Sequence, residues 1–157
     1  MQPAQPAQPP PTGPRLQPST VEDLVQTDVV TAERDTPVAT LVAAMEQKDV
    51  GSVVIVDDDW PIGIVTDRSI ALSLVTEPNI VGRTADDLVT RGLVTGTTGM
   101  DVFDTLRRME RERVRRLPLL DEEGQLSGIV TLDDLLVLLC GELENAASVI
   151  KTQSPRL

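Results

Sequence analysis

Two rhythms of apolar residues follow one another along this chain, and the same order is run through twice. Val38, Leu41, Val42 and Met45 share one face at helical spacing. Ahead of them stand Thr36, a hydroxyl cap, and Pro37, suited to a first helical position. Gly51 breaks the pattern. Residues 52–56 are then apolar without alternation, as in a strand buried on both faces. Asp57, Asp58 and Asp59 predict a turn, residues 62–66 the returning strand and residues 70–75 a second helix. A short extended stretch over residues 29–31 precedes all of these. The second pass predicts a helix over 102–109, a strand over 117–120, a turn over 121–124, a strand over 126–131 and a helix from Leu135 onward. Each pass reads β-α-β-β-α, so the fold class is α/β (α+β).

Sliding the chain by 64 positions superposes the two passes. Asp23-Leu24-Val25 falls on Asp87-Leu88-Val89, Val30-Thr31 on Val94-Thr95, and Met45-Glu46 on Met109-Glu110. One added residue near Gly124 shifts the offset, and Gly63-Ile64-Val65-Thr66 then meets Gly128-Ile129-Val130-Thr131. Each pass opens on a capping-box spacing, Ser19 with Glu22 and Thr84 with Asp87. Two copies of a long period predict a pseudo-symmetric pair rather than a solenoid. The expected units are 19–83 and 84–143, flanked by a tail over 1–18 and a C-terminal helical tail over 144–157. A unit this small is marginal alone, so the two are expected to share a core. Residues 1–18 are mostly Gln, Pro and Ala, a composition that predicts disorder.

Composition narrows the chemistry. The chain has 157 residues, no His, one Cys and a net charge of −11. Without His there is no serine–histidine or cysteine–histidine catalysis and no imidazole metal ligand. The acidic balance argues against nucleic acid or anionic membrane as partners. One aromatic per cent leaves no stacking platform for single strands. No apolar run reaches the ~20 residues of a membrane span. Cys140, in the run from Leu135, reads as a small buried hydrophobe. With no signal sequence and no cysteine pair, a cytoplasmic protein is expected.

The segments Gly51-Ser52-Val53-Val54-Ile55-Val56-Asp57 and Arg116-Leu117-Pro118-Leu119-Leu120-Asp121, followed by the paired Gly-Ile-Val-Thr strands, resemble a tandem pair of cystathionine β-synthase (CBS) domains. That resemblance covers about residues 20–143. It implies two β-α-β-β-α units packed by a pseudo-twofold through their sheets, with two clefts between them. It also implies a homodimer, and in many members an adenosine ligand such as AMP, ATP, S-adenosylmethionine or NAD. The family's binding motif, Gly-h-h-Ser/Thr-x-x-Asp with h apolar, is matched by Gly128 to Asp134 in the second unit. There Thr131 and Asp134 take the roles of ribose and phosphate contacts. Equally, Thr131 can simply cap the following helix, with Asp133 and Asp134 favouring its dipole. The first unit departs from the motif: after Thr66, Ser69 stands where the acid belongs. The resemblance therefore implies one competent cleft and one altered or silent.

Residues 107–116 form a basic island of six Arg and two Glu. Pairs such as Arg107–Glu110 and Arg108–Glu112 are expected to brace the helix. By the resemblance, Arg116, just before Leu117-Pro118, reaches the nucleotide phosphate, with Arg115 as a neighbour. Thr95, in the loop after the first strand of the second unit, is a further expected contact. Ile129 or Val114 would face the adenine. No catalytic residue, metal site or cofactor is expected; Asp57, Asp58 and Asp59 read as solvated turn residues. Function is then a non-catalytic adenosine-ligand sensor of the AMP/ADP/ATP class, acting through association with itself or an unidentified protein. The alternative is a ligand-free dimerisation module.

Overall fold

The computed structural model describes residues 20–89 and 92–153. The expected tail over 1–18, the expected cap Ser19 and the last four residues lie outside them. The first unit comprises β1 (Thr31–Glu33), α1 (Val38–Lys48), β2 (Ser52–Asp57), β3 (Trp60–Thr66) and α2 (Asp67–Ser73). A short helix α3 (Ala85–Leu88) leads into the second: β4 (Gly96–Thr97), α4 (Val102–Glu112), β5 (Arg116–Leu120), β6 (Leu126–Thr131) and α5 (Leu132–Gln153). Each unit has a three-stranded sheet, ordered β1-β2-β3 and β4-β5-β6. The first pairing in each is parallel and the second antiparallel. The two β-α-β-β-α units of the sequence are thus present.

Chain geometry repeats as closely as sequence. α1 ends at Asp49 and α4 at Arg113, both left-handed, with φ of 53° and 56°. In both, the next residue's N–H returns to a Met carbonyl at 3.0 Å: Val50 to Met45 and Val114 to Met109. Asp58 and Asp59 both carry positive φ and make the tight two-residue turn between β2 and β3. The longer turn before β6 uses Gly124 at φ 82°. The extra residue that shifts the repeat offset is therefore absorbed at a hairpin tip.

Each unit's core is completed by a segment from the other unit's leading edge. Val21 lies in one cluster with Val102, Met109, Leu117, Leu119, Val130 and Leu135, all in the second unit. Ala85 and Leu88 lie in the other with Val38, Leu41, Val53, Ile55 and Val65. The same exchange shows in hydrogen bonds: Val21 N–H donates to Met100 O at 3.0 Å, and Ala85 N–H to Thr36 O at 2.8 Å. Val54, Val56 and Ile129, with Ile64 and Leu126 against them, form a third cluster between the two sheets. The shared core is thus built by exchange at the edges and by sheet-to-sheet packing at the centre.

This exchange fixes the repeated glycines. A Cβ on Gly128 would overlap Val25 Cγ1 and lie 2.9 Å from Gln26 O; a Cβ on Gly63 would overlap Val89 Cγ1 and lie 2.8 Å from its Cγ2. The glycine that opens each Gly-Ile-Val-Thr is there because a strap from the other half crosses it: the segment from Val21 to Val29 over Gly128, and that from Ala85 to Val89 over Gly63.

Four local expectations change. Thr36 does not cap α1: Pro37 occupies the cap, Thr36 N–H donates to Glu33 O, and Thr36 O receives Ala85. The helix from Leu135 starts at Leu132 and continues without a break to Gln153, so the helical tail is the end of α5. Cys140 is exposed, because only Leu135 of this apolar run is buried, while Leu136 and Val137 face outward. Arg107 pairs with Asp104 and Arg111 with Glu112, in place of the expected Arg107–Glu110 and Arg108–Glu112. By contrast, the Thr84–Asp87 capping box forms as its spacing predicts.

Gly128→Ala is expected to destabilise the fold by about 1–3 kcal/mol in chemical denaturation, as overpacking does. Much of that loss should return in the double variant with Val25→Ala; no recovery would mean the strap does not set the glycine. A second expectation concerns Asp87, whose carboxyl is held below its ordinary value, chiefly by hydrogen bonds from Thr84 N–H and hydroxyl. A lowered folded-state value means its stabilisation is present above the unfolded pKa and is lost as pH falls through the lowered value. Asp87→Asn should therefore lower Tm at pH 6 and converge with the parent as pH falls through that lowered value.

Candidate functional site

The two units meet over a cleft that draws on both. A cavity of about 170 Å³ is lined by Asp28, Val30 and Asp49 of the first unit and by Arg116, Ile129 and Thr131 of the second. Adjoining it, a cavity of about 300 Å³ is lined by Asp67, Arg68, Arg115, Arg116, Thr131 and Asp133. Arg116 and Thr131 line both, so the two spaces border the same side chains.

Local structure explains why these residues converge. Arg116 is the first residue of β5 and pairs across the sheet with Thr131, the last of β6. Antiparallel pairing of a first residue with a last places both at the same end of the sheet. The Arg116 guanidinium reaches the first unit: the Cβ position of Gly51 lies 2.6 Å from Arg116 Nη2 and 3.2 Å from Asp67 Oδ2. Any side chain at residue 51 would displace that guanidinium. Ile129 is buried in the inter-sheet cluster and contributes the apolar wall.

Thr131 and Asp134 form a reciprocal cap at the start of α5. Thr131 N–H and hydroxyl both donate to Asp134 Oδ2, at 3.0 and 2.7 Å, and Asp134 N–H donates to Thr131 Oγ1 at 3.2 Å. A further donor comes from the strap: Gln26 Nε2 lies 3.2 Å from each carboxylate oxygen of Asp134. Gln26 is fixed by paired backbone bonds with Ile129, 3.0 Å each way. The carboxylate thus faces an amide that offers it two N–H donors.

The first unit repeats the cap with a neutral group. Ser69 N–H donates to Thr66 Oγ1 at 3.0 Å, and Thr66 N–H to Ser69 Oγ at 2.9 Å. Ser69 Oγ also donates to Thr66 O at 2.7 Å. Both side chains are engaged in the helix start, and the position carries no charge.

The other expected contacts are placed apart. Arg115 faces outward and lies 3.5 Å from Asp133, at the rim of the 300 Å³ space. Val114 packs into the second core. Thr95 lines a different cavity, beside α4. The residues that do line the cleft come from just before β1, at Gln26, Asp28, Val29 and Val30, and from the α1 end, Asp49 and Val50. The sequence pattern does not point to them, because their place at the cleft comes from a crossing of distant segments. The clue was the strap, which only its crossing of β6 reveals.

Asp57 is ion-paired with Arg34 at 2.7 Å, as a turn residue can be. Among the described residues, no group of three or more His, Cys, Asp or Glu could hold a metal ion. No described helix is long and apolar enough to cross a membrane.

Known proteins resemble this chain in sequence and in fold. The uncharacterized protein MK0525 of Methanopyrus kandleri is 32% identical over 122 residues, covering 74% of this chain and 60% of that protein. The CBS domain-containing protein YhcV of Bacillus subtilis is 31% identical over 119 residues, covering 76% and 84%. The crystal structure of the CBS domain pair of protein MJ0100, in complex with 5-methylthioadenosine and S-adenosyl-L-methionine, superposes with a TM-score of 0.73 at 21% identity, covering 80% of this chain and 99% of that one. The sequence profile of the CBS domain matches residues 21–76 and again 85–141, one match on each folded unit. The chain therefore belongs to the CBS domain family and carries that domain twice, as a tandem pair.

Proposed function

We propose that this CBS pair is a non-catalytic regulatory module that holds an adenosine-containing ligand, of the AMP, ADP or ATP class, in the cleft of Arg116, Ile129, Thr131 and Asp134. The observation that carries the reading is the meeting of three unlike groups at one place. An apolar wall at Ile129 suits the base, and the Asp134 carboxylate, which lines neither cavity but stands directly behind Gln26 of the smaller one, suits the ribose diol once that amide gives way. Guanidinium groups at Arg68, Arg115 and Arg116 line the adjoining space and suit phosphate. A base and ribose in the smaller space would direct phosphates into the larger one. That the MJ0100 pair binds adenosine compounds on the same fold supports the class, and the arginines favour a phosphorylated member. The first unit, with Ser69 and Ser52 in place of the acid and the arginine, is read as altered or silent.

Output is assigned to association. Leu72, Leu74 and Val75 at the α2 end, and Leu136, Val137 and Leu143 on α5, are exposed apolar residues. A homodimer through these helices would cover them. The same exposed residues favour the second reading, a ligand-free dimerisation module.

AMP, ADP and ATP should be screened by thermal shift. At 100 times Kd a ligand adds about 2.7 kcal/mol of stability. Asp134→Ala should remove the shift, and Arg116→Ala should weaken phosphorylated ligands while sparing adenosine. No shift with any adenine compound would sink the ligand reading and leave the dimerisation module. Gln26→Ala should tighten ligand binding roughly two- to tenfold, because the ligand no longer displaces a hydrogen-bonding amide worth about 0.5–1.5 kcal/mol net. Titration calorimetry reads this directly, and weaker binding instead would make Gln26 a ligand contact.

A further inference from the structure

At the other end of β5 from Arg116 lies a larger and separate cavity of about 580 Å³. It opens between the edge strand β4 and helix α4, with Thr95 and Thr97 on one side, Arg107, Arg108 and Arg111 on the other, and Leu120 at the base. None of the residues lining the Arg116 cleft lines it.

Three features distinguish this cavity from a solvated helix face. First, it concentrates positive charge in a chain of net −11: three Arg line it against one acid, Asp104. Second, the fold does not need those arginines. The positions 64 earlier, on α1, are Ala43, Ala44 and Gln47, and the first unit packs the same helix on the same sheet without them. Third, Arg108 Nε is shielded from water and has no hydrogen-bond partner. Buried donors are almost always satisfied, so an unmet one calls for an acceptor. The neighbouring cations are only loosely committed. Arg107 pairs with Asp104 and Arg111 with Glu112, both Arg side chains being about two-thirds exposed. Exposed pairs of this kind are readily exchanged for a better anion.

We infer that the β4–α4 cavity is a second anion site, built for a small phosphate-bearing molecule and independent of the adenosine cleft. Guanidinium groups spaced along one helix face offer forked donors to phosphate oxygens, and the hydroxyls of Thr95 and Thr97 add donors from the strand. The volume falls within the range of small-ligand pockets and is larger than one phosphate needs. The ligand class is therefore a phosphorylated metabolite rather than free phosphate.

Pyrophosphate is the probe, titrated into the full chain by calorimetry at ionic strength matched with NaCl. Saturable binding is expected, weakened roughly tenfold or more by Arg108→Gln. The double variant Arg107→Gln/Arg111→Gln changes exposed residues only and should weaken it likewise, which guards against an Arg108 variant that fails to fold. In Arg116→Ala, binding at this cavity should persist. Absence of saturable binding, or indifference to all three arginines, overturns the proposal. So does loss of binding in Arg116→Ala alone, which would assign the pyrophosphate to the adenosine cleft. Inorganic phosphate binding as tightly as pyrophosphate would overturn the assignment to a larger ligand.

Discussion

The crossing of one half's strap over the other half's glycine is the contact on which the rest of this molecule depends. Val25 lies over Gly128 and Val89 over Gly63, each so close that no Cβ fits between. A backbone that passes this near its neighbour must be held there, and burial of Val21 in one core and Ala85 and Leu88 in the other does so. Neither unit closes its own core. Cleft geometry follows from this, because the strap that buries Val21 also carries Gln26, Asp28 and Val29 to the face of β6. The cleft is therefore a consequence of how the two cores are completed, and it exists only in the pair.

Within that symmetric frame, the asymmetry of the two helix starts is informative. Thr66–Ser69 and Thr131–Asp134 make the same reciprocal cap with the same donors. Capping is satisfied by either a hydroxyl or a carboxylate. The charge at Asp134 is thus not demanded by the helix. Nor is the guanidinium of Arg116 demanded by the sheet, since Ser52 begins the equivalent strand. Two charges of opposite sign, both dispensable for the scaffold, stand at the same end of β5, β6 and α5. That is the physical basis for the proposed ligand position there and not at the other start.

Much of this was legible in the sequence, for identifiable reasons. Strand and helix periods are local, so the β-α-β-β-α order, and β6 at its full extent over residues 126–131, follow directly from the pattern. The capping box at Thr84 was legible because it depends on two residues three apart. What could not be read was what depends on a distant crossing. The exposure of Cys140 is one case: α5 continues past the second core, so the apolar run finds nothing to pack against on its outer side. The position of Thr95 is another. Thr95 immediately precedes β4, whose pairing of Gly96 with Leu119 sets it beside the cavity against the α4 arginines.

On the proposed function, the arrangement offers a route from ligand to association. Asp134 stands in the first turn of α5, and the same helix carries the exposed Leu136, Val137 and Leu143 further on. Its carboxylate is tied on one side to Thr131 and on the other to Gln26. Gln26 in turn is fixed to Ile129 at the inter-sheet cluster, and its strap begins at Val21 inside the second core. A ligand that takes the carboxylate from Gln26 exchanges a strap-to-helix bond for a ligand-to-helix bond. The strap keeps its backbone pairing with Ile129, so the fold survives, while α5 loses a tether to the first unit's leading edge. The start of α5 and its apolar outer face are one rigid rod, and a change in the restraint at one end is felt along it. Ligand binding and helix-mediated association are linked in that case by a single side-chain exchange, with no rearrangement of either core.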